Sequence, residues 1–287
     1  MESKRNSTIL EVPPEIVDRT IDYLHDDKGS LKSCSLVSRT WHNTSRFHLF
    51  RTIHVKARLN DNKRPFAHFL RFFDTAPDAA LHIRTIQIEP GVDYKTCAIF
   101  CMHDLHDILQ LSHSPQLLKL KLCSLDLQAC HEEHCKDLPF RFSPVPLHAL
   151  SFGQDCGVDN LTSLSQILDL FSTITYLDVN DLVCYQSIGL QATMEQGYQF
   201  SLNVQCAKVV AGTLIVGKIF PLLRHSRSIN TISSISAEVL DRLSLDALVD
   251  FISVCGLRLE TLSLNLRMVS SRERPTSKSP PLPQDLL

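Results

Sequence analysis

Glycine is the first shortage in this chain. Nine glycines stand against fourteen prolines in 287 residues, too few for the many tight turns of a propeller or an all-β barrel. A long apolar run is missing as well. The longest, Val209 to Gly217, has nine residues between Lys208 and Lys218, too short to span a bilayer. Met1-Glu2-Ser3-Lys4-Arg5-Asn6 leads into no apolar stretch, so no secretory signal and no membrane association are expected. Charge of one sign is lacking too. The net charge is −2 and the pI about 6.7. Lysine and arginine are spread along the chain, which excludes the electrostatic footprint of a nucleic-acid or anionic-membrane binder. The ten cysteines have no regular spacing. Without a signal they are expected as reduced thiols in a cytosolic or nuclear protein, most of them acting as small buried hydrophobes.

What is present is ordinary for a globular protein: 44% apolar and 21% charged residues, with length for one small and one larger domain. The larger one carries a recurring pattern, apolar at first, fourth and sixth positions. It reads Phe50-Arg-Thr-Ile53-His-Val55, then Ile83-Arg-Thr-Ile86-Gln-Ile88, then Leu117-Leu-Lys-Leu120-Lys-Leu122. It continues in Leu147–Phe152, Ile174–Val179 and Leu259–Leu264, with weaker copies at Gln199–Val204 and Ile229–Ser234. The fourth positions fall at 53, 86, 120, 150, 177, 202, 232 and 262, spaced by 25 to 34 residues. Periods of this size belong to stacked repeats, and L-x-x-L-x-L is the strand of a leucine-rich repeat.

Helical spacing fills several of the gaps. It spans Arg64–Ala76, Ile99–Leu111, Leu161–Phe171 and Leu240–Val254. Stacked strand–loop–helix units predict a mixed α/β fold, an irregular solenoid with a parallel sheet on its concave face and helices outside. The repeats are degenerate: the Asn that usually follows the strand is mostly missing. Residues 51–269 form this domain. Residues 1–9 and the Pro- and Ser-rich stretch 270–287 are expected to be disordered. The last repeat has no obvious cap.

Leu10 to Phe50 reads differently. Pro13 and Pro14 suit a helix start, and Glu15 and Asp18 favour its positive end. Ile16, Val17, Ile21 and Leu24 lie on one helical stripe. His25 to Ser30 is a polar loop, with Ser30 placed to cap a second helix through Leu31, Cys34 and Val37. A third helix is expected from Trp41, the one tryptophan, to about Leu49. Helices this short bury little alone and need a partner.

Val12-Pro13-Pro14-Glu15-Ile16, Ile21, Leu24, Leu31 and Leu36-Val37-Ser38-Arg39-Thr40-Trp41 together resemble an F-box. The opening Leu of that pattern is here Val12, and its usual Cys is Ser38. The wording is similar to F-box proteins of mushroom-forming fungi. The resemblance covers residues 10–50. It implies a three-helix docking module that binds a Skp-type adaptor, and through it a cullin, in an SCF-type ubiquitin ligase. Val12, Pro13, Pro14, Ile16, Val17, Ile21, Leu24, Leu31, Leu36, Val37 and Trp41 are its adaptor-binding candidates, with Pro13, Ile16, Leu24, Leu31 and Val37 expected to make the contact. F-box proteins often carry leucine-rich repeats, which would hold an unknown protein target. A plain interaction scaffold is the competing reading.

No stretch presents an active site, and neither a cofactor nor a metal is expected. Cys130-His131-Glu132-Glu133-His134-Cys135 crowds four soft ligands into six residues, which cannot all face one tetrahedral zinc. Gly212-Thr-Leu-Ile-Val-Gly217-Lys218-Ile219 is one residue short of a phosphate-binding loop and has Ile219 where Mg²⁺ needs Ser or Thr. Cys101-Met-His103-Asp-Leu-His106-Asp107 reads as a solvated helix face. The concave-face residues Arg84, Lys119, Lys121, Thr175 and Asp178 show no single charge sign and name no target.

Overall fold

The computed structural model describes residues 12–57, 66–91, 98–111, 117–128, 143–153, 155–185, 201–210 and 216–267. The stretches 1–9 and 270–287 and the Cys130–Cys135 cluster lie outside the described residues. The described chain is a mixed α/β protein in which three short helices precede a large parallel sheet with helices outside it.

Pro14 opens α1 (Pro14–Tyr23), where a missing N–H costs nothing. The next helix, α2 (Lys28–Cys34), is capped by Asp27, not by Ser30. The Asp27 carboxylate accepts the Gly29 and Ser30 backbone N–H groups, each at 3.0 Å. Ser30 lies inside the helix and donates its hydroxyl to the same carboxylate at 2.6 Å. Val37 falls in the turn after α2, not on it. The Ser38 hydroxyl accepts the Trp41 N–H and starts α3 (Arg39–Arg51), which overruns the expected helix at both ends. Strand β1 (Thr52–Lys56) follows with no intervening loop. Phe50 and Arg51 therefore belong to the helix, and the first repeat strand begins two residues late.

The large sheet has eight parallel strands. After β1 come β2 (Thr85–Glu89), β3 (Ala98–Cys101), β4 (Lys119–Leu122), β5 (Leu125–Gln128), β6 (Val145–Phe152), β7 (Gly157–Val158), β8 (Phe171–Asn180), β9 (Val183–Cys184), β10 (Asn203–Val210), β11 (Ser234–Val239) and β12 (Thr261–Leu266). Its order is β1-β2-β4-β6-β8-β10-β11-β12, so every strand lies beside its sequence neighbour in that sheet. The shorter strands β3-β5-β7-β9 make a second parallel sheet.

Register explains the repeat. Ile53 pairs with Ile86, Ile86 with Leu120, Leu120 with Leu150, and Leu150 with Leu177. The row continues through Ala207 and Ile235 to Leu262. A second row runs two residues on, through Val55, Ile88, Leu122, Phe152, Val179, Val209, Ala237 and Leu264. Two of the sequence anchors are thereby corrected. In the sheet, Ala207 replaces Leu202 and Ile235 replaces Ile232. Leu202 and Ile232 are buried all the same, but they precede their strands. The small side chain of Ala207 hid its place in a pattern searched for leucine and isoleucine.

Strands β4, β6 and β8 each end in a bend toward the second sheet. Ser124, Asp155 and Asp181 sit at these corners with φ of 51°, 57° and 53°, a region that short polar side chains tolerate best after glycine. The Cys156 thiol donates to the Leu122 carbonyl across one corner at 3.2 Å. The second sheet corrects the helix expected over Ile99–Leu111. Ala98 and Phe100 are buried and Ile99 is exposed, an alternation that belongs to a strand, and helix α6 below starts only at Met102.

The helices close the core. They are α4 (Ala67–Thr75), α5 (Pro77–Ala80), α6 (Met102–Leu111), α7 (Leu161–Asp169), α8 (Val216–Arg224) and α9 (Arg242–Cys255). Asn160 and Asp241 cap α7 and α9, and Gly256 ends α9 at φ 60°. Their buried side chains join those of both sheets in one continuous core, from Val55 to Cys255. The other face of the large sheet carries polar residues that are exposed or half-buried. Parallel strands usually hide both faces, so this open face sets the fold apart.

The row predicts a gradient of stability. Leu150→Ala, in mid-row, should cost about 2–5 kcal/mol. Leu264→Ala should cost less than about 1 kcal/mol, because Leu264 is 41% exposed on the last strand. Denaturant midpoints of the two variants measure the difference.

Candidate docking surface

The three N-terminal helices keep a core of their own. Val17, Ile21 and Leu31 are its buried members, with Leu24, Cys34, Trp41 and Leu49 packed around them. Polar contacts lash α1 to α3: the Thr44 hydroxyl donates to Asp18 at 2.6 Å, and His48 Nε2 meets Asp22 at 2.8 Å. His42 Nδ1 reaches the Ser35 carbonyl at 3.0 Å and ties α3 to the turn before it.

The eleven candidate residues therefore divide by position. Val17, Ile21 and Leu31 are enclosed in the module's own core. Leu31, expected at the adaptor contact, is buried in this core. Leu24 and Trp41 are half-buried, joining core to surface. Val12, Pro13, Pro14, Ile16, Leu36 and Val37 are exposed. Ile16 shows 50% of its surface and Leu36 85%. Tyr23 is also exposed, a residue that the helical stripe leaves out because it points away from the core. None of these exposed apolar residues belongs to the module's own core.

Aromatic contacts join α3 to α4 and to the turn after α5, and a cation–π contact lies within α3. The Phe47 ring meets His82 edge-on at 6.2 Å, Phe50 meets Phe72 at 6.1 Å, and the Arg46 guanidinium stands 5.5 Å from the centre of the Phe50 ring. Burial, with help from the Arg46 and Arg84 charges, holds His82 below its ordinary pKa of 6.5. A cleft of about 610 Å³ opens beside this junction, lined by Leu49, Phe50, His54, His68, Phe69 and Phe72 among others.

Chemistry is thin elsewhere. Gly217 and Lys218 lie in the first turn of α8, and Gly212 to Ile215 lie outside the described residues. His103 and Asp104 are buried, which corrects the solvated helix face expected for them. No group of three or more His, Cys, Asp or Glu among the described residues is placed to hold a metal. The seven described cysteines are thiols, three buried and four half-buried, so half-burial is commoner than expected. Burial pushes Cys255 up to about 11 and raises Cys123, leaving both as poor nucleophiles. No described helix is long and apolar enough to cross a membrane. A scan against protein-family models finds no match for the chain, and neither does a search of the curated proteins.

Two outcomes follow from this geometry. Leu31→Ala should destabilise the module by about 2–5 kcal/mol, whereas Ile16→Ala should leave its thermal midpoint within about a degree or two. His82 gives the junction a pH dependence. A depressed pKa contributes stability that is complete above 6.5 and is lost as the pH falls from there through the lowered value. Melting curves of His82→Gln should lack that component when compared with the wild type across the same pH range.

Proposed function

We propose that the chain is the substrate-recognition subunit of an SCF-type cullin–RING ubiquitin ligase. The N-terminal helices are an F-box that binds a Skp-type adaptor and through it a cullin, and residues 51–269 are a degenerate leucine-rich-repeat solenoid that binds a target protein. The reading is carried by the exposed apolar residues Val12, Pro13, Pro14, Ile16, Leu36 and Val37 on a module whose core is already filled. These are positions at which the F-box resemblance implies adaptor contact. The subunit performs no chemistry itself. It raises the effective concentration of a target beside an enzyme that delivers ubiquitin.

The stacked order of the strands and the open sheet face favour the target-holding half of this proposal, since repeat proteins bind along such faces. A non-catalytic scaffold would share the solenoid and the open face and lack only the adaptor contact. Pro13→Ala combined with Ile16→Ala should therefore abolish co-purification with the adaptor while the melting transition of the sheet domain is unchanged. Adaptor retained by this variant, or never bound by the wild type, sinks the ligase reading and leaves the scaffold.

A further inference from the structure

Resting on the reading of the open sheet face as a target site, we propose that it takes an acidic segment of a protein, with Lys119 and Lys121 on its carboxylates and Tyr176 on a neighbouring apolar residue. Strand β4 turns Leu120 and Leu122 into the core and Lys119 and Lys121 out to the open face, both exposed. Their register partners are Thr85 and Gln87 on one side and Ala149 and Ser151 on the other, none of them charged.

Elsewhere on this face the cations are already answered. Lys56 faces Glu89 at 3.4 Å, Lys208 faces Asp178 at 3.9 Å, and Arg267 faces Glu238 at 3.1 Å. Lys119 and Lys121 make no ion pair with any described residue. Among the described residues, ion pairs hold the other cations of the face, while Lys119 and Lys121 stand together on β4 with no charged residue in register beside them. Arg84 and Thr175, expected on the face, sit one position earlier than Thr85 and Tyr176, which hold the places in register with Lys119.

Tyr176 supplies the second contact. It leaves 50% of its surface exposed, and the His148 ring braces it edge-on at 5.1 Å. A braced, half-exposed tyrosine on a polar face is the kind of anchor that dominates protein interfaces. Tyr176 pairs with Ala149, and Ala149 with Lys119. The two side chains are therefore two strands apart, about 10 Å, and the methyl of Ala149 leaves the path between them low. An extended segment crossing the strands covers that span in about three residues. The matching sequence places an acidic residue about three positions from an apolar one. Two cations on a chain of net charge −2 are too few for a nucleic-acid backbone, which favours a protein segment.

The test uses the full chain and two labelled peptides in a Gly/Ser background, one containing Glu-Glu-x-x-Phe and the other Lys-Lys-x-x-Phe. The wild type should bind the acidic probe selectively, and less tightly as salt is raised. Lys119→Glu with Lys121→Glu should weaken it by about tenfold or more, and Tyr176→Ala should weaken it independently. Lys32→Glu, on the N-terminal module, should leave it unchanged. If charge reversal perturbs folding, Lys119→Gln with Lys121→Gln gives the same reading. Equal binding of both probes, or undiminished binding after reversal, overturns the inference. Adaptor co-purification is scored in the same preparations. Failure of acidic-probe selectivity with the adaptor still held overturns only this inference. Selective probe binding without the adaptor overturns the ligase reading and leaves this surface standing.

Discussion

Everything in the large sheet depends on one constraint, the in-register stacking of two apolar rows on a single face. Ile86, Leu120, Leu150, Leu177, Ala207 and Ile235 lie side by side, and Ile88, Leu122, Phe152, Val179, Val209 and Ala237 repeat the arrangement two residues on. A slip of one residue in any strand would turn its apolar side chains outward and its polar ones into the core. That penalty holds all the strands in one register, and it forces Lys119, Lys121, Tyr176 and Asp178 onto the opposite face. The inner rows and the outer face are consequences of the same pairing.

The corners follow from the rows. A chain that must leave the sheet at the same level in consecutive units has to bend at the same place, and it does so at Ser124, Asp155 and Asp181 with positive φ. The bends feed β5, β7 and β9, whose Leu125, Leu127, Val158 and Cys184 close the core from the side. Polar residues serve there because the corner lies outside the rows. No single consensus residue is required, which is why the repeats look degenerate in sequence while the backbone path recurs.

Legibility in the sequence follows the size of side chains. Strands with leucine or isoleucine at both inner positions were readable from periodicity alone, as in β2, β4 and β12. The anchor Ala207 was not, because nothing marks a small residue as inward-facing until its neighbours Leu177 and Ile235 are seen beside it. Ile99 and Phe100 read as helix because four residues of strand run straight into a helix of similar composition. Asp27 and Ser30 are both good caps, and only geometry shows the carboxylate taking both N–H groups. In the N-terminal module the apolar stripe was visible. Its division into enclosed and exposed members was not, since helical spacing alone does not say where α3 lies.

The position of α3 ties the two proposed surfaces together. Arg51 ends the helix and Thr52 begins β1, so no linker separates the module from the first strand. Loss of a linker removes a hinge, and the Phe47–His82 and Phe50–Phe72 contacts oppose twisting about the remaining joint. A target held on the open face and an adaptor held by Ile16 and Leu36 would then keep a fixed separation. Fixed geometry benefits a scaffold that presents one protein to another, because a rigid connection avoids the orientational entropy that a flexible one loses on each encounter. The apolar rows that hold the strands in register would thus also hold a bound target in place relative to the docking helices.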